Sequence, residues 1–170
     1  METHLCEFCL RSGMLCSKCQ EKIRSGTVTD LYMRVAQLLL DIEGEYPLLQ
    51  KTRLENVVRT GGFLVLVVGR GDRARFMSYS GKLTRAVGDK FRRRVLVIEE
   101  GVSDRRFLED LFANQQIVTI NIIWLPDGST ETGAVLRGRR SQRLSKKRIK
   151  ALQGIAKKVR NMSLRVEYAY

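Results

Sequence analysis

The sequence predicts an α+β chain, with a short cysteine-bearing head followed by two consecutive modules of one element order. Three observations carry that expectation. All four cysteines fall in the first nineteen residues. Beyond Gly26 the apolar spacing switches between the three-and-four step of helices and the alternating or continuous runs of strands. The order helix, strand, strand, helix, helix, strand can then be read twice. The head covers 1–26, the first module 27–101 and the second 102–170. With 170 residues, 44% of them hydrophobic, the chain has the apolar material to build cores of this size.

The head reads Cys6-x2-Cys9, six residues, then Cys16-x2-Cys19. Each C-x-x-C predicts a tight turn whose two thiolates converge on one cation. Two such turns complete a closed tetrahedral site with no position left for water. That is the donor set of one structural zinc in a zinc ribbon or knuckle, with Cys6, Cys9, Cys16 and Cys19 as candidate ligands. Arg11-Ser12-Gly13 supplies the turn that folds one pair back on the other. The alternatives are two disulfides or a redox pair. Disulfides are disfavoured in a reducing compartment, and redox C-x-x-C pairs sit on the strand-to-helix turn of a larger fold. His4, the single histidine, is expected to be a bystander, because four thiolates fill the site. A module of about twenty residues folds only with its metal.

In the first module Thr27 or Thr29 is the expected N-cap of a helix whose apolar positions are Val28, Leu31, Val35, Leu38, Leu39 and Ile42, ended by Gly44 and Pro47. Leu54 to Arg59 predicts a short strand. Phe63 to Val68, an unbroken apolar run between glycines, predicts a buried one. A short segment from Asp72 to Met77 leads to Ser78-Tyr79-Ser80-Gly81. A helix from about Lys82 to Phe91 follows, with Leu83, Ala86 and Val87 inward, and Val95 to Ile98 closes the module as a strand.

In the second module Ser103 caps a helix over Asp104 to Phe112. Gln116 to Trp124 predicts a strand with Val118, Ile120 and Ile122 inward. Trp124 itself is expected to pack in the core or at the sheet edge rather than on a base. Pro126-Asp127-Gly128-Ser129 is a turn and Thr132 to Leu136 a returning strand. Ser145 to Val159 forms a long basic helix with Ile149, Leu152, Ile155, Ala156 and Val159 as its core stripe, and Leu164 to Tyr168 ends the module as a strand.

Charge narrows the function classes. The formal net charge is +13, and Arg137 to Arg160 holds eleven Lys and Arg with no acid; a second basic region runs from Arg70 to Arg94. Such surfaces gain affinity by displacing counterions from phosphates, which points to a nucleic acid. An anionic membrane surface is the rival, but the basic helix carries no aromatic anchor. No apolar run approaches the roughly 20 residues of a membrane span, and Met1 to Leu10 lacks a signal-peptide pattern, so the expected location is the cytoplasm, without membrane association.

From Thr29 to Tyr170 this element order, with a short glycine-bearing loop between two helices, resembles the prokaryotic (type II) KH domain. The chain is similar to the small archaeal NusA-like proteins, which carry two such domains in tandem. The resemblance implies two tandem KH-type (αββααβ) domains and RNA as the partner, held where a G-x-x-G loop clamps the phosphates of about four nucleotides. Here that loop is Ser78, Tyr79, Ser80 and Gly81, with Ser78 in place of the first glycine. Lys82 and Arg85 add charge on the next helical turn, and Tyr79 either stacks on a base or stands exposed without a partner. In the second domain the loop falls near Arg143-Leu144-Ser145-Lys146 and has no glycine. Arg139, Arg140, Arg143, Lys146, Lys147 and Lys150 are the expected phosphate contacts there. The implied function is that of a transcription-associated factor touching nascent RNA and RNA polymerase. The alternative is a ribosome-associated protein docked on rRNA of a ribosomal subunit, where a clamp loop can lose its glycine.

Other motifs count for less. Gly69-Arg70-Gly71 lacks the third glycine and the later acid of a dinucleotide site. Arg70-Gly71-Asp72 as an adhesion tripeptide needs an extracellular protein, and Lys90 to Arg94 is simpler as a cationic helix end than as a nuclear signal. Val97 to Asp104 resembles the strand, Glu-Gly and helix of Toprim metal-dependent nucleases, with Glu99, Glu100, Asp104 and a lone Asp127, but half of the carboxylates are missing. No Ser-His-Asp, Cys-His or H-E-x-x-H set exists, so no enzymatic activity is expected.

Overall fold

Strand β2 (Phe63–Val68) buries all six of its residues, as its unbroken apolar run and its place in the middle of a sheet require. The computed structural model describes residues 1–169, excluding the Arg140 side chain, and it is an α+β molecule with two three-stranded sheets. By contacts the chain divides into two compact units. One holds residues 1–58 and 64–101; the other holds 59–63 and the chain from 102 onward.

The first unit begins with two short helices, α1 (Glu7–Ser12) and α2 (Ser17–Arg24). Helix α3 (Asp30–Ile42) follows, with the Thr29 hydroxyl accepting from Tyr32 N–H at 3.1 Å, so Thr29 is the cap. Its buried face is Tyr32, Val35, Ala36, Leu39 and Leu40, turned from the expected stripe. The turn follows from Tyr32: its hydroxyl donates to the Leu54 carbonyl at 2.7 Å and accepts from His4 N–H at 3.0 Å. One buried phenol thus ties the N-terminal segment to the sheet. A 3-10 turn, Pro47–Lys51, buries Leu49 before β1 (Leu54–Thr60). After β2 come α4 (Arg73–Met77), α5 (Lys82–Phe91) and β3 (Arg94–Glu99), and the sheet order is β1-β2-β3.

The second unit contains α6 (Asp104–Leu111), β4 (Gln116–Trp124), β5 (Thr130–Arg137), α7 (Lys146–Arg160) and β6 (Leu164–Ala169), with a 3-10 turn, Arg140–Gln142, before α7. Strand β4 pairs antiparallel with β5, which pairs parallel with β6, so β5 is central and β4 is an edge. Ser103 and Ser145 cap their helices as side-chain acceptors. Leu152, Ile155 and Ala156 of α7 are buried, as are Phe107, Leu108 and Leu111 of α6. Arg160, at the end of α7, reaches Asp104 Oδ1 at 2.7 Å and the Val102 carbonyl, its guanidinium 4.8 Å from the centre of the Phe107 ring.

The inward assignment for β4 is corrected by the structure. Val118 and Ile122 are exposed and Ile120 is only half-buried. Trp124, expected to be packed, is 75% exposed. Two features explain this. A register shift between Ile117 and Thr119 breaks the alternation. Beyond it, Ile120, Ile122 and Trp124 stand opposite Ala134, Thr132 and Thr130, and directly paired residues share a face. Ala134 is fully buried while Thr130 is exposed, so the core ends beside Ile120 and the last third of β4 runs past it.

Candidate metal centre and cationic surfaces

Each cysteine pair spans the start of a helix. Cys6 caps α1 with Cys9 in its first turn, and Cys16 caps α2 with Cys19 in its first turn. The fold brings all four sulfurs within 4.8 Å of one another, Cys9 and Cys19 buried and Cys6 and Cys16 exposed. Cys6 Sγ lies 2.9 Å from Cys9 Sγ and 3.7 Å from Cys19 Sγ. A disulfide needs about 2.05 Å. A tetrahedral zinc at about 2.3 Å from each sulfur needs edges of about 3.8 Å. Backbone N–H groups point at the sulfurs as well: Cys16 N–H donates to Cys9 Sγ at 3.2 Å and Cys6 N–H to Cys19 Sγ at 3.5 Å.

Crowding spreads the proton affinities of the four thiols. The Cys19 backbone N–H and the Cys19 thiol pull Cys16 down to about 7, whereas the hydrogen bond with the Cys6 sulfur pushes Cys9 up to about 12. Four thiols this close hold some of their protons until a divalent cation replaces them. The donor set therefore fits a closed, four-thiolate structural site.

Two expectations about the head are revised. The cysteine turns carry helices rather than the strands of a ribbon. The head is also built into the first unit: Leu5, Cys9, Leu10 and Cys19 share one core with Val35, Ala36 and Leu39. Glu2 bridges to β1, with Glu2 N–H donating to the Thr52 carbonyl at 2.8 Å and Leu54 N–H to the Glu2 carbonyl at 3.0 Å. His4 stays away from the sulfurs, its Nε2 2.8 Å from the Glu55 carbonyl. Phe8 and Met14, which the sequence reading did not single out, are each 68% exposed on this head.

Loop Ser78 to Gly81 lies between α4 and α5. Ser80 and Gly81 both have left-handed backbones, at φ 52° and 76°, which explains a glycine at 81. Ser78 closes α4, its hydroxyl donating to the Arg75 carbonyl at 2.7 Å. Tyr79 does not stand free. Its ring packs edge-on against Tyr46 with centroids 4.9 Å apart, and its hydroxyl accepts from Leu48 N–H at 2.8 Å. Ser78, Ser80, Lys82 and Arg85 are exposed.

In the second unit Arg139, Lys146, Lys147 and Lys150 are exposed at and before the start of α7, and the Arg140 side chain lies outside the described residues. Arg143 sits over the Tyr168 ring at 5.0 Å, and Tyr168 accepts from Leu144 N–H at 2.8 Å, which anchors the connection to the sheet. The acids behave differently. Asp104 pairs with Arg160, and Asp127 is held below the usual carboxylate range by the Ser129 hydroxyl and N–H. Among the described residues the cysteines are the only group of three or more His, Cys, Asp or Glu placed to hold a cation. No helix among them is long and apolar enough to cross a membrane.

No protein-family model matches the sequence, and no curated protein matches it. Among solved structures the chain is similar to one titled "Crystal structure of APE1850", at 15% identity over 84% of this chain and 100% of that chain, with a TM-score of 0.57, a likeness that extends to the fold.

Proposed function

We propose that this chain is a non-enzymatic RNA-binding protein of NusA-like, tandem-KH kind, with one structural zinc held by Cys6, Cys9, Cys16 and Cys19. One observation carries the reading. In both units the connection leading into a helix presents exposed cations and no acid: Lys82 and Arg85 beyond the Ser78 to Gly81 loop, and Arg139, Lys146, Lys147 and Lys150 around the start of α7. Phosphates are drawn to such a surface by counterion release, and sequence is not read by it. The zinc supplies no chemistry; it holds the head against α3.

A second reading, attachment to folded rRNA in a ribosomal subunit rather than to nascent RNA and polymerase, is favoured by Tyr79. With that ring held edge-on against Tyr46 and its hydroxyl engaged, Tyr79 is tied to the protein rather than free to follow a single strand, as suits a protein docked on structured RNA. Fluorescence anisotropy against a single-stranded oligonucleotide and against a folded RNA tests both. Lys146→Glu with Lys147→Glu should weaken binding about tenfold or more and reduce its salt dependence by roughly two phosphate contacts. Unchanged affinity would move the interface away from α7. Preference for the folded RNA would favour the ribosomal reading.

A further inference from the structure

Residues 111–126 form the longest stretch of this chain without a charged side chain, sixteen residues in a protein with 31 Lys and Arg and 18 Asp and Glu. The fold places that stretch on an open edge. Among the described residues strand β4 is bonded on one side only, to β5. Six of its nine residues are exposed, including Val118 at 44%, Ile122 at 67% and Trp124 at 75%. Natural edge strands are normally blunted by charge or proline, and β4 has neither between Gln116 and Trp124; its single bulge, at Val118, leaves 119–124 regular.

We infer that the β4 edge pairs antiparallel with β4 of a second copy of this chain about a two-fold axis at Asn121, giving a continuous six-stranded sheet. The register is self-complementary. With Asn121 facing Asn121, Ile120 faces Ile122 of the other copy and Ile122 faces Ile120, within the regular part of the strand beyond the bulge. The centre of the contact then sets apolar groups against apolar groups, as cross-strand pairs prefer, with Trp124 flanking them on the same face. Charge places a contact between copies at the same edge. Two copies at +13 each repel wherever their charged surfaces approach, so a stable contact between them must lie on a neutral surface, and this is the longest neutral stretch available. An isologous contact also closes on itself, so the exposed edge leads to a dimer and not a fibre.

Sedimentation equilibrium of the full zinc-loaded chain, without RNA, from about 1 µM to about 1 mM, tests the inference. The weight-average mass should climb from the monomer toward twice that value. Association should strengthen about severalfold as salt is raised, because repulsion is screened, which is opposite to the salt response of RNA binding. The emission of Trp124, the only tryptophan, should shift to the blue along with it. Ile122→Lys should weaken association at least about tenfold. Trp124→Thr, a milder change at an equally exposed position, should weaken it about fivefold with an unaltered circular dichroism spectrum. A monomer at every concentration overturns the inference. So does association that Ile122→Lys, folded as judged by circular dichroism, and Trp124→Thr both leave unchanged, since another surface would then be responsible.

Discussion

Strands β2 and β4 are both apolar, and they have opposite fates. All six residues of Phe63–Val68 are buried, whereas those of Gln116–Trp124 are half-buried or exposed. Composition does not separate them: Ile117, Ile120, Ile122, Ile123 and Trp124 are as hydrophobic as anything in β2. Position does. β2 has a neighbour on each side and shares a core with α3, α5 and the cysteine head, while β4 is an edge whose far end outruns the core. The first unit has the head to thicken its core, and the second unit has nothing equivalent.

The comparison breaks first at the metal. On the proposed zinc site, removing the metal with a chelator should release Cys9 and Cys19 from the first unit's core. For a site of this type that is a loss on the order of 10 kcal/mol of metal-linked free energy, seen as lost helicity and a lowered melting temperature of that unit. Amide exchange in α7 should be little changed; equal loss in both units would mean that the head supports more than its own core. Next, Leu66→Ala in β2 should cost about 2 to 5 kcal/mol in a denaturant titration, against less than about 1 kcal/mol for Ile122→Ala in β4. Similar values would refute the contrast.

A smaller effect sharpens it. Gly61, in the turn between β1 and β2, groups with the second unit, has φ 53°, and leaves room for nothing larger: a Cβ there would lie 2.4 Å from Ala151 Cβ and 2.8 Å from Ala151 Cα. Gly61→Ala should therefore cost about 3 kcal/mol, although no apolar contact is removed. Gly62→Ala, with a left-handed backbone but open space, should cost less by the same titration. The smallest is Ser103→Ala, which removes the acceptor for Arg106 N–H and should lower stability by about 1 kcal/mol.

Local rules made much of this molecule legible. Phe63 to Val68 was bounded to the residue, because a continuous apolar run between glycines has few other solutions. Ser103 was readable as a cap, and Thr29 as one of two candidates, because capping depends on residues three apart. The cysteine site was readable because C-x-x-C repeated across a short turn restricts where four sulfurs can go. The helical form of the head, the rotated face of α3 and the engagement of Tyr79 were not readable. Each depends on a partner distant in sequence: the shared core around Leu5 and Val35, the Tyr32 link to Leu54 and the Tyr46 ring.

The sequence by itself determined the α+β class, the main helix and strand positions beyond the head, the four-thiolate donor set and the cationic stretch from Arg137 to Arg160. These follow from periodicity, capping, ligand chemistry and charge, all of which act over a few residues. Only the tertiary structure decided which apolar residues are covered. Ile122 and Trp124 obey the same alternation as core residues and lie exposed, because burial is set by how far neighbouring strands and helices extend, and no local pattern encodes that distance.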